Sequence, residues 1–311
     1  LCDRRQRQMC IRDREGIDRG LLEAIRAFRA EHPVPQEAQG RLIRPKLLYY
    51  GREVWQAAAT ALLCGENLLL SGPKATGKNV LAENLAAAFG RPVWNVSMYV
   101  NIDAASLIGA DTLKEGEVVF REGPVCQCAR LGGFGVLDEV NMAKNEALAV
   151  LHAALDFRRV LDVPGYRPVP LDDAARFIGT MNYGYAGTRE LNEALVSRFA
   201  VVDMPVIAQE DLEKLLRRAF PHLKSKWVGQ FAALFQDLRD KCQSGEISTR
   251  TLDLRGLLAA LRLIEHGLTA GQALELGLVN KAFDPYERQL AADVIAARIP
   301  REACRGQLME D

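Results

Sequence analysis

Three consecutive leucines, Leu68 to Leu70, lead into Ser71-Gly72-Pro73-Lys74-Ala75-Thr76-Gly77-Lys78-Asn79, after which Val80, Leu81, Leu85, Ala88 and Phe89 recur at helical spacing. The unbroken apolar run predicts a short strand buried on both faces, and the recurrence predicts a helix that Gly90 and Pro92 close. The same exchange of strand-like and helical text continues from residue 46 to 207, the pattern of a parallel sheet covered on both faces. Five strands are expected: Asn67 to Ser71, Pro92 to Ser97, Phe134 to Asp138, Arg176 to Asn182 and Phe199 to Met204. Helices are expected around 53 to 64, 79 to 89, 141 to 157 and 189 to 197. Two hairpins interrupt the rhythm, one turned by glycine within Lys114 to Phe120 and one over Val160 to Val169, where Pro164-Gly165 suits a type II turn. Beyond residue 208 the strand pattern stops. Residues 209 to 219, 224 to 241, 250 to 265 and 284 to 297 carry a helical period, which predicts a small all-helical domain over 208 to 311. Residues 1 to 45 read as a partly helical extension ended by His32-Pro33-Val34-Pro35.

Composition narrows the class of protein. Of 311 residues 49% are apolar, enough for two domains with cores of their own. Forty basic and forty acidic side chains cancel. With no global field and no added basic or aromatic-rich module, binding to nucleic acid or to an anionic membrane is disfavoured. Seven cysteines are an odd, scattered set, which points to free thiols in a reducing compartment, and Cys126-x-Cys128 is too tightly spaced for a zinc knuckle. No apolar run reaches 18 residues and no signal peptide is evident, so a cytoplasmic location is expected. The chain begins without Met and reads as a fragment.

The loop Gly72 to Asn79 has the form of a phosphate cradle. Successive N–H groups, backed by the positive end of a helix dipole, can hold β- and γ-phosphates, and Lys78 can reach the same oxygens. Val80 continues the first helical turn. The residue after such a lysine is usually Ser or Thr, whose hydroxyl binds Mg²⁺; Asn79 offers an amide oxygen instead. Some sixty residues on, the apolar run Gly135-Val136-Leu137 ends in Asp138-Glu139. Ligands of a parallel sheet sit beyond the carboxyl ends of its strands. The strand ending in Asp138 is therefore expected to neighbour the loop strand, with Asp138 holding Mg²⁺ and Glu139 deprotonating an attacking water. The plainer alternative is an acid-enriched first turn of a helix. Gly179-Thr180-Met181-Asn182 ends another strand in an amide that could bond a γ-phosphate or the lytic water, or could simply make a turn.

The order of a Gly-x-x-x-x-Gly-Lys loop, Leu-Asp-Glu, a strand ending in Asn, Ser197-Arg198-Phe199 and a helical C-terminal part resembles an AAA+ ATPase. Leu107-Ile108-Gly109-Ala110, Glu122-Gly123-Pro124 and Asp138 to Ala143 are similar to its MoxR branch, and the resemblance covers roughly residues 46 to 265. It implies a P-loop α/β fold, a three-layer parallel sheet over 46 to 207, followed by a helical lid, with ATP and Mg²⁺ as cofactors. By the same resemblance Asn182 is the sensor-1 residue. Arg198 is the arginine finger facing a neighbouring subunit's nucleotide, and such fingers are worth about 10³ to 10⁵ in rate. Arg250 is the sensor-2 residue, with Arg255 as an alternative and Arg189 as a second interface arginine. A homo-oligomeric ring, expected to be hexameric, is implied. It would remodel or activate a protein client, gripped by the hairpins with Phe120 among the candidates, in company with a partner bearing a von Willebrand factor A domain.

Three functions remain in view. The first is a Mg²⁺-dependent ATPase acting on a protein client. The second, motivated by Asn79, is a nucleotide-gated scaffold with weak turnover, and the third is a nucleic-acid motor on the same fold, which the charge balance disfavours.

Overall fold

A computed structural model describes residues 16–182 and 190–310. The chain divides into two compact units. The first runs to Pro205 apart from loop residues Lys74–Thr76, which group with the second unit, Val206 onward. Each is described on its own.

In chain order the strands are β1 (Leu68–Ser71), β2 (Val93–Ser97), β3 (Gly109–Lys114), β4 (Glu117–Glu122), β5 (Phe134–Asp138), β6 (Val160–Leu161), β7 (Val169–Pro170), β8 (Arg176–Met181) and β9 (Ala200–Asp203). β2, β5, β8, β1 and β9 lie side by side in that order, and every pairing among them is parallel. All five are the expected strands, to within two residues at each end. Their side chains alternate between two cores. Leu69, Leu137 and Phe177 enter one, while Leu68, Leu70, Val136 and Ile178 enter the other, all of them buried. Helices Arg19–Glu31, Arg52–Leu63 and Lys78–Phe89 feed the second core, and Pro124–Arg130 with the segments after β5 feed the first. Apolar residues at successive strand positions are thus consumed by two opposite faces, which is why these strands read as continuous runs.

The sheet order corrects one expectation. β5, which ends in Asp138, is not a neighbour of the loop strand β1, because β8 lies between them. Order within a parallel sheet is set by crossover connections and packing rather than by the strands' own residues, so the pattern alone cannot assign it.

The helix expected over 141 to 157 is also corrected. It is four short pieces: 3₁₀ turns at Val140–Met142 and Ala149–Leu151 and α-helices at Asn145–Leu148 and His152–Leu155. Ala143 and Lys144 are extended, which breaks the helical ladder, while Leu148, Leu151, Ala154 and Leu155 supply the buried apolar spacing that suggested one helix. Near 189 to 197 the described helix is Glu193–Val196. Both expected hairpins are present. β3 and β4 turn at Glu115 (φ 53°) and Gly116 (φ 87°), and β6 and β7 turn with Gly165 at φ 82°, the left-handed position of the expected turn.

The second unit consists of helices Gln209–Ala219, Ser225–Gln243, Leu254–Glu265, Ala270–Gly277, Pro285–Arg298 and Arg305–Leu308 with a 3₁₀ turn at Val279–Lys281. The helix at Ala270–Gly277 was not expected, although its start is written in the chain: Thr269 and Gln272 form a reciprocal capping box. Among the described residues no helix is long and apolar enough to cross a membrane.

Candidate functional site

At the end of β1 the chain turns against the end of β9. A Cβ at Gly72 would stand 2.7 Å from the Met204 carbonyl oxygen, so only glycine fits. Two loop residues, Ala75 (φ 63°) and Gly77 (φ 81°), adopt the left-handed backbone. Left-handed residues interleaved with others turn successive N–H groups to one side, the geometry of an anion-binding nest. Gly77 is also the N-cap of helix Lys78–Phe89, whose first N–H groups lack partners within the helix. The Lys78 ammonium donates to the Gly72 carbonyl at 2.9 Å and the Pro73 carbonyl at 2.7 Å. Burial pulls its pKa from 10.5 to about 8, opposed by the charges of Asp138 and Glu139. Those carboxylates are therefore within electrostatic reach of the lysine.

The carboxylate pair is held by β8. Asp138 Oδ1 accepts a 2.7 Å hydrogen bond from the Thr180 hydroxyl, and the same oxygen of Thr180 accepts from the Glu139 N–H at 3.1 Å. Glu139 Oε1 accepts from Asn182 Nδ2 at 3.2 Å, and the Asn182 carbonyl accepts from the buried Asn141 side chain at 2.8 Å. Glu139 itself is left-handed (φ 56°, ψ 48°), so it opens a 3₁₀ turn rather than the acid-rich first turn of a helix.

Magnesium suits this donor set. It favours hard oxygen ligands and usually keeps water and phosphate among them. Asp138 Oδ2 makes no hydrogen bond among the described residues, and Asn79, half-buried with Val80 in the first helical turn, can add an amide oxygen. No group of three or more His, Cys, Asp or Glu assembles among the described residues, so phosphates and water would have to complete the shell.

The arginines are placed differently. Arg198 donates to the His152 carbonyl at 3.1 Å and to the Ala194 carbonyl, and pairs with Asp156 at 3.3 Å. The Asp156 carboxyl is held well below the usual carboxylate range, first by its hydrogen bonds to Arg158 and then by Arg198. Arg250 is exposed in the second unit, 5.0 Å over the Phe283 ring, and Arg255 lies in the first turn of helix Leu254–Glu265. Arg189 lies outside the described residues. Phe120 is half-buried against the first core and 5.0 Å from the Tyr166 ring, whereas Leu113 and Val118, opposite each other on the hairpin, are exposed.

The cluster thus unites Lys78, Asp138, Glu139 and Asn182, and adds two residues that sequence reasoning passed over, Thr180 and Asn141. Thr180 sits inside the Gly-Thr-Met-Asn run. Its signal was a polar side chain two positions before Asn182 and so on the same face of the strand, a clue that matters only once β5 is known to lie alongside.

Comparison with known proteins points the same way. A family model described as the AAA domain of the dynein-related subfamily matches residues 67–199, from the residue before β1 through Phe199. The chain is 33% identical over 242 residues to the uncharacterized protein YojN of Bacillus subtilis, covering 76% of this chain and 79% of the relative. It is 32% identical over 261 residues to an uncharacterized protein of Staphylococcus haemolyticus, covering 82% and 98%. A third relative, from Staphylococcus aureus, is 34% identical over 231 residues, covering 72% and 87%.

Proposed function

The chain belongs to the AAA+ ATPases, and we propose that it couples ATP hydrolysis in an oligomeric ring to the remodelling or activation of a protein client, in the manner of the MoxR branch. The observation that carries this reading is the meeting of Lys78, Asp138, Glu139 and Asn182 at the carboxyl edge of one sheet.

The nest and Lys78 bind the β- and γ-phosphates, the backbone by direction and the ammonium as a point charge. Mg²⁺ held by Asp138 and Asn79 would supply charge neutralisation across those phosphates. Asn182 holds one oxygen of the Glu139 carboxylate, which leaves the other to take a proton from water. As that proton moves to Glu139, the water oxygen bonds to the γ-phosphorus, the bridging P–O bond breaks, and ADP departs with the electron pair. Positioning and charge supply most of the rate in such transfers, so the rigidity of the Glu139 tether matters.

Steady-state hydrolysis tests the proposal. Glu139→Gln should bind ATP as the parent does and lose turnover by about 10²- to 10⁴-fold, the usual worth of a general base; unchanged turnover would remove Glu139 from this role. Arg198 acts in trans on this reading and must leave Asp156 to do so. Mixing Arg198→Ala with Lys78→Ala subunits should restore turnover at shared interfaces, and a mixture as inactive as its parts would count against the trans finger.

Asn79 favours a second reading, a nucleotide-gated scaffold with weak turnover, because an amide stands further from the backbone than a hydroxyl. The comparison is Asn79→Thr: a large gain in turnover supports the scaffold, and none supports the working ATPase.

A further inference from the structure

β5 and β8 are paired over four positions, Phe134↔Arg176, Gly135↔Phe177, Val136↔Ile178 and Leu137↔Gly179. The ladder stops one step before Asp138 and Thr180 would face each other. From there a side chain takes over: the Glu139 N–H bonds to the Thr180 hydroxyl oxygen at 3.1 Å, and that hydroxyl donates to Asp138 at 2.7 Å. Both of its hydrogen-bonding roles are used, and both go to the carboxylate pair. The Thr180 backbone meanwhile stays in register with Leu70 of β1, two residues before the phosphate loop begins. One buried residue, 1% exposed, therefore joins the strand that carries Lys78's loop to the strand that carries the carboxylates.

The backbone of Glu139 adds an independent observation. A left-handed φ of 56° on a non-glycine residue persists only where its surroundings over-determine it. Here the Thr180 hydroxyl holds the N–H and Asn182 holds the carboxylate. A hydroxyl needed only for burial would be satisfied by any single carbonyl nearby, whereas this one orients a carboxylate and fixes a strained peptide at once.

We propose that Thr180 is a positioning residue: its hydroxyl locks Asp138, the metal-facing carboxylate, and Glu139, the base, into one geometry registered to the phosphate loop. The proposal rests on the hydrolytic reading above for the role of Glu139. Its consequence for Asp138, stronger nucleotide binding when Mg²⁺ is present, can be measured without turnover.

The experiment compares Thr180→Val, which keeps the shape and removes the hydroxyl, with Thr180→Ser, which keeps the hydroxyl, in the full chain. Thr180→Ala serves as a second hydroxyl-free side chain. Binding of a non-hydrolysable ATP analogue is measured by titration calorimetry with Mg²⁺ and with EDTA, and steady-state turnover is followed against Mg²⁺ concentration. Thr180→Val should match the parent's affinity in EDTA and lose most of the gain that Mg²⁺ confers. It should also need more Mg²⁺ for half-maximal rate and turn over at least about tenfold slower, the lower end for a lost hydrogen bond to a charged group. Thr180→Ser should stay within about threefold of the parent on each measure, well inside that loss.

Equal Mg²⁺ dependence in Thr180→Val and the parent would overturn the proposal, as would a Thr180→Ser variant as impaired as Thr180→Val. Failure of both hydroxyl-free variants to give a nucleotide-binding fold would also overturn it, since the hydroxyl would then be a determinant of folding. A parent that binds Mg²⁺ and nucleotide together without hydrolysing them would defeat the ATPase reading alone, and the calorimetric comparison would still decide Thr180.

Discussion

At the phosphate loop, Lys78 folds back onto the carbonyls of Gly72 and Pro73, six and five residues earlier in the chain. At the carboxylate pair, Asp138 and Glu139 are held by Thr180 and Asn182, 41 to 43 residues later. The loop is a local structure whose shape follows from left-handed backbone at Ala75 and Gly77 and from the helix that begins at Lys78. The carboxylate site is a tertiary structure, assembled only when β8 docks between β1 and β5. On the proposed reading, a local binding element and a non-local carboxylate element should therefore fail separately, the expected signature of damage to the second being metal-free nucleotide binding that persists while turnover falls.

The largest expected effect comes from breaking the local element. Lys78→Met should weaken ATP binding about a hundredfold, near the upper end for a hydrogen bond to a charged group. It should not lower the melting temperature, because a buried ammonium is replaced by an apolar side chain of similar length. Calorimetric titration and thermal unfolding check the two halves; a marked loss of stability would mean that Lys78 also holds the loop together. Next is Asn182→Ala, expected to leave ATP affinity unchanged while turnover falls about tenfold, as the lower end of the same range suggests for an exposed bond. A parallel loss of affinity would show that the two elements are not separable.

A pH series sharpens the same contrast. Burial lowers the Lys78 pKa from 10.5 to about 8. Between those values the unfolded chain holds a proton that the folded chain has released, so this group's contribution makes stability rise with pH across the interval. Nucleotide affinity should move the other way, weakening as pH climbs through about 8 and the ammonium becomes neutral. In Lys78→Met both slopes should flatten, which denaturant midpoints and binding titrations at paired pH values would show. The smallest effect is expected at Ala75, where a side chain tolerates φ 63°. Ala75→Gly relieves strain of about 1 kcal/mol and frees the unfolded chain by a comparable amount, so stability should shift by less than about 1 kcal/mol in either direction. A larger change would mean that the nest is held by more than its own backbone.

How legible each part was follows from the same distinction. The five strands could be read from the chain because a strand buried on both faces leaves a continuous apolar run, and the end of β8 could be read from Asn182. Of the second unit's two unexpected helices, Ala270–Gly277 and Arg305–Leu308, the first has its start written in Thr269 and Gln272. The stretch from 141 to 157 misled because buried residues of several short turns fall at the same spacing as one face of a helix. Arg198 stands out in the chain only by its place in Ser-Arg-Phe, and its hold on Asp156 and the His152 carbonyl could not be read from the chain.

By itself the sequence determined the five strands and the form of the loop at Gly72 to Asn79, since both depend on interactions between residues a few positions apart: continuous apolar runs, helical period, a left-handed glycine, a lysine at a helix start. Only the tertiary structure decided that β8 lies between the loop strand and the carboxylate strand, and so that Thr180, rather than a direct neighbour of the loop, braces Asp138 and Glu139. Parallel strands carry no mark of their partners. Their order is settled by how the connecting helices share two cores, and the hydrogen bonds around Asp138 and Glu139 exist only after that choice is made.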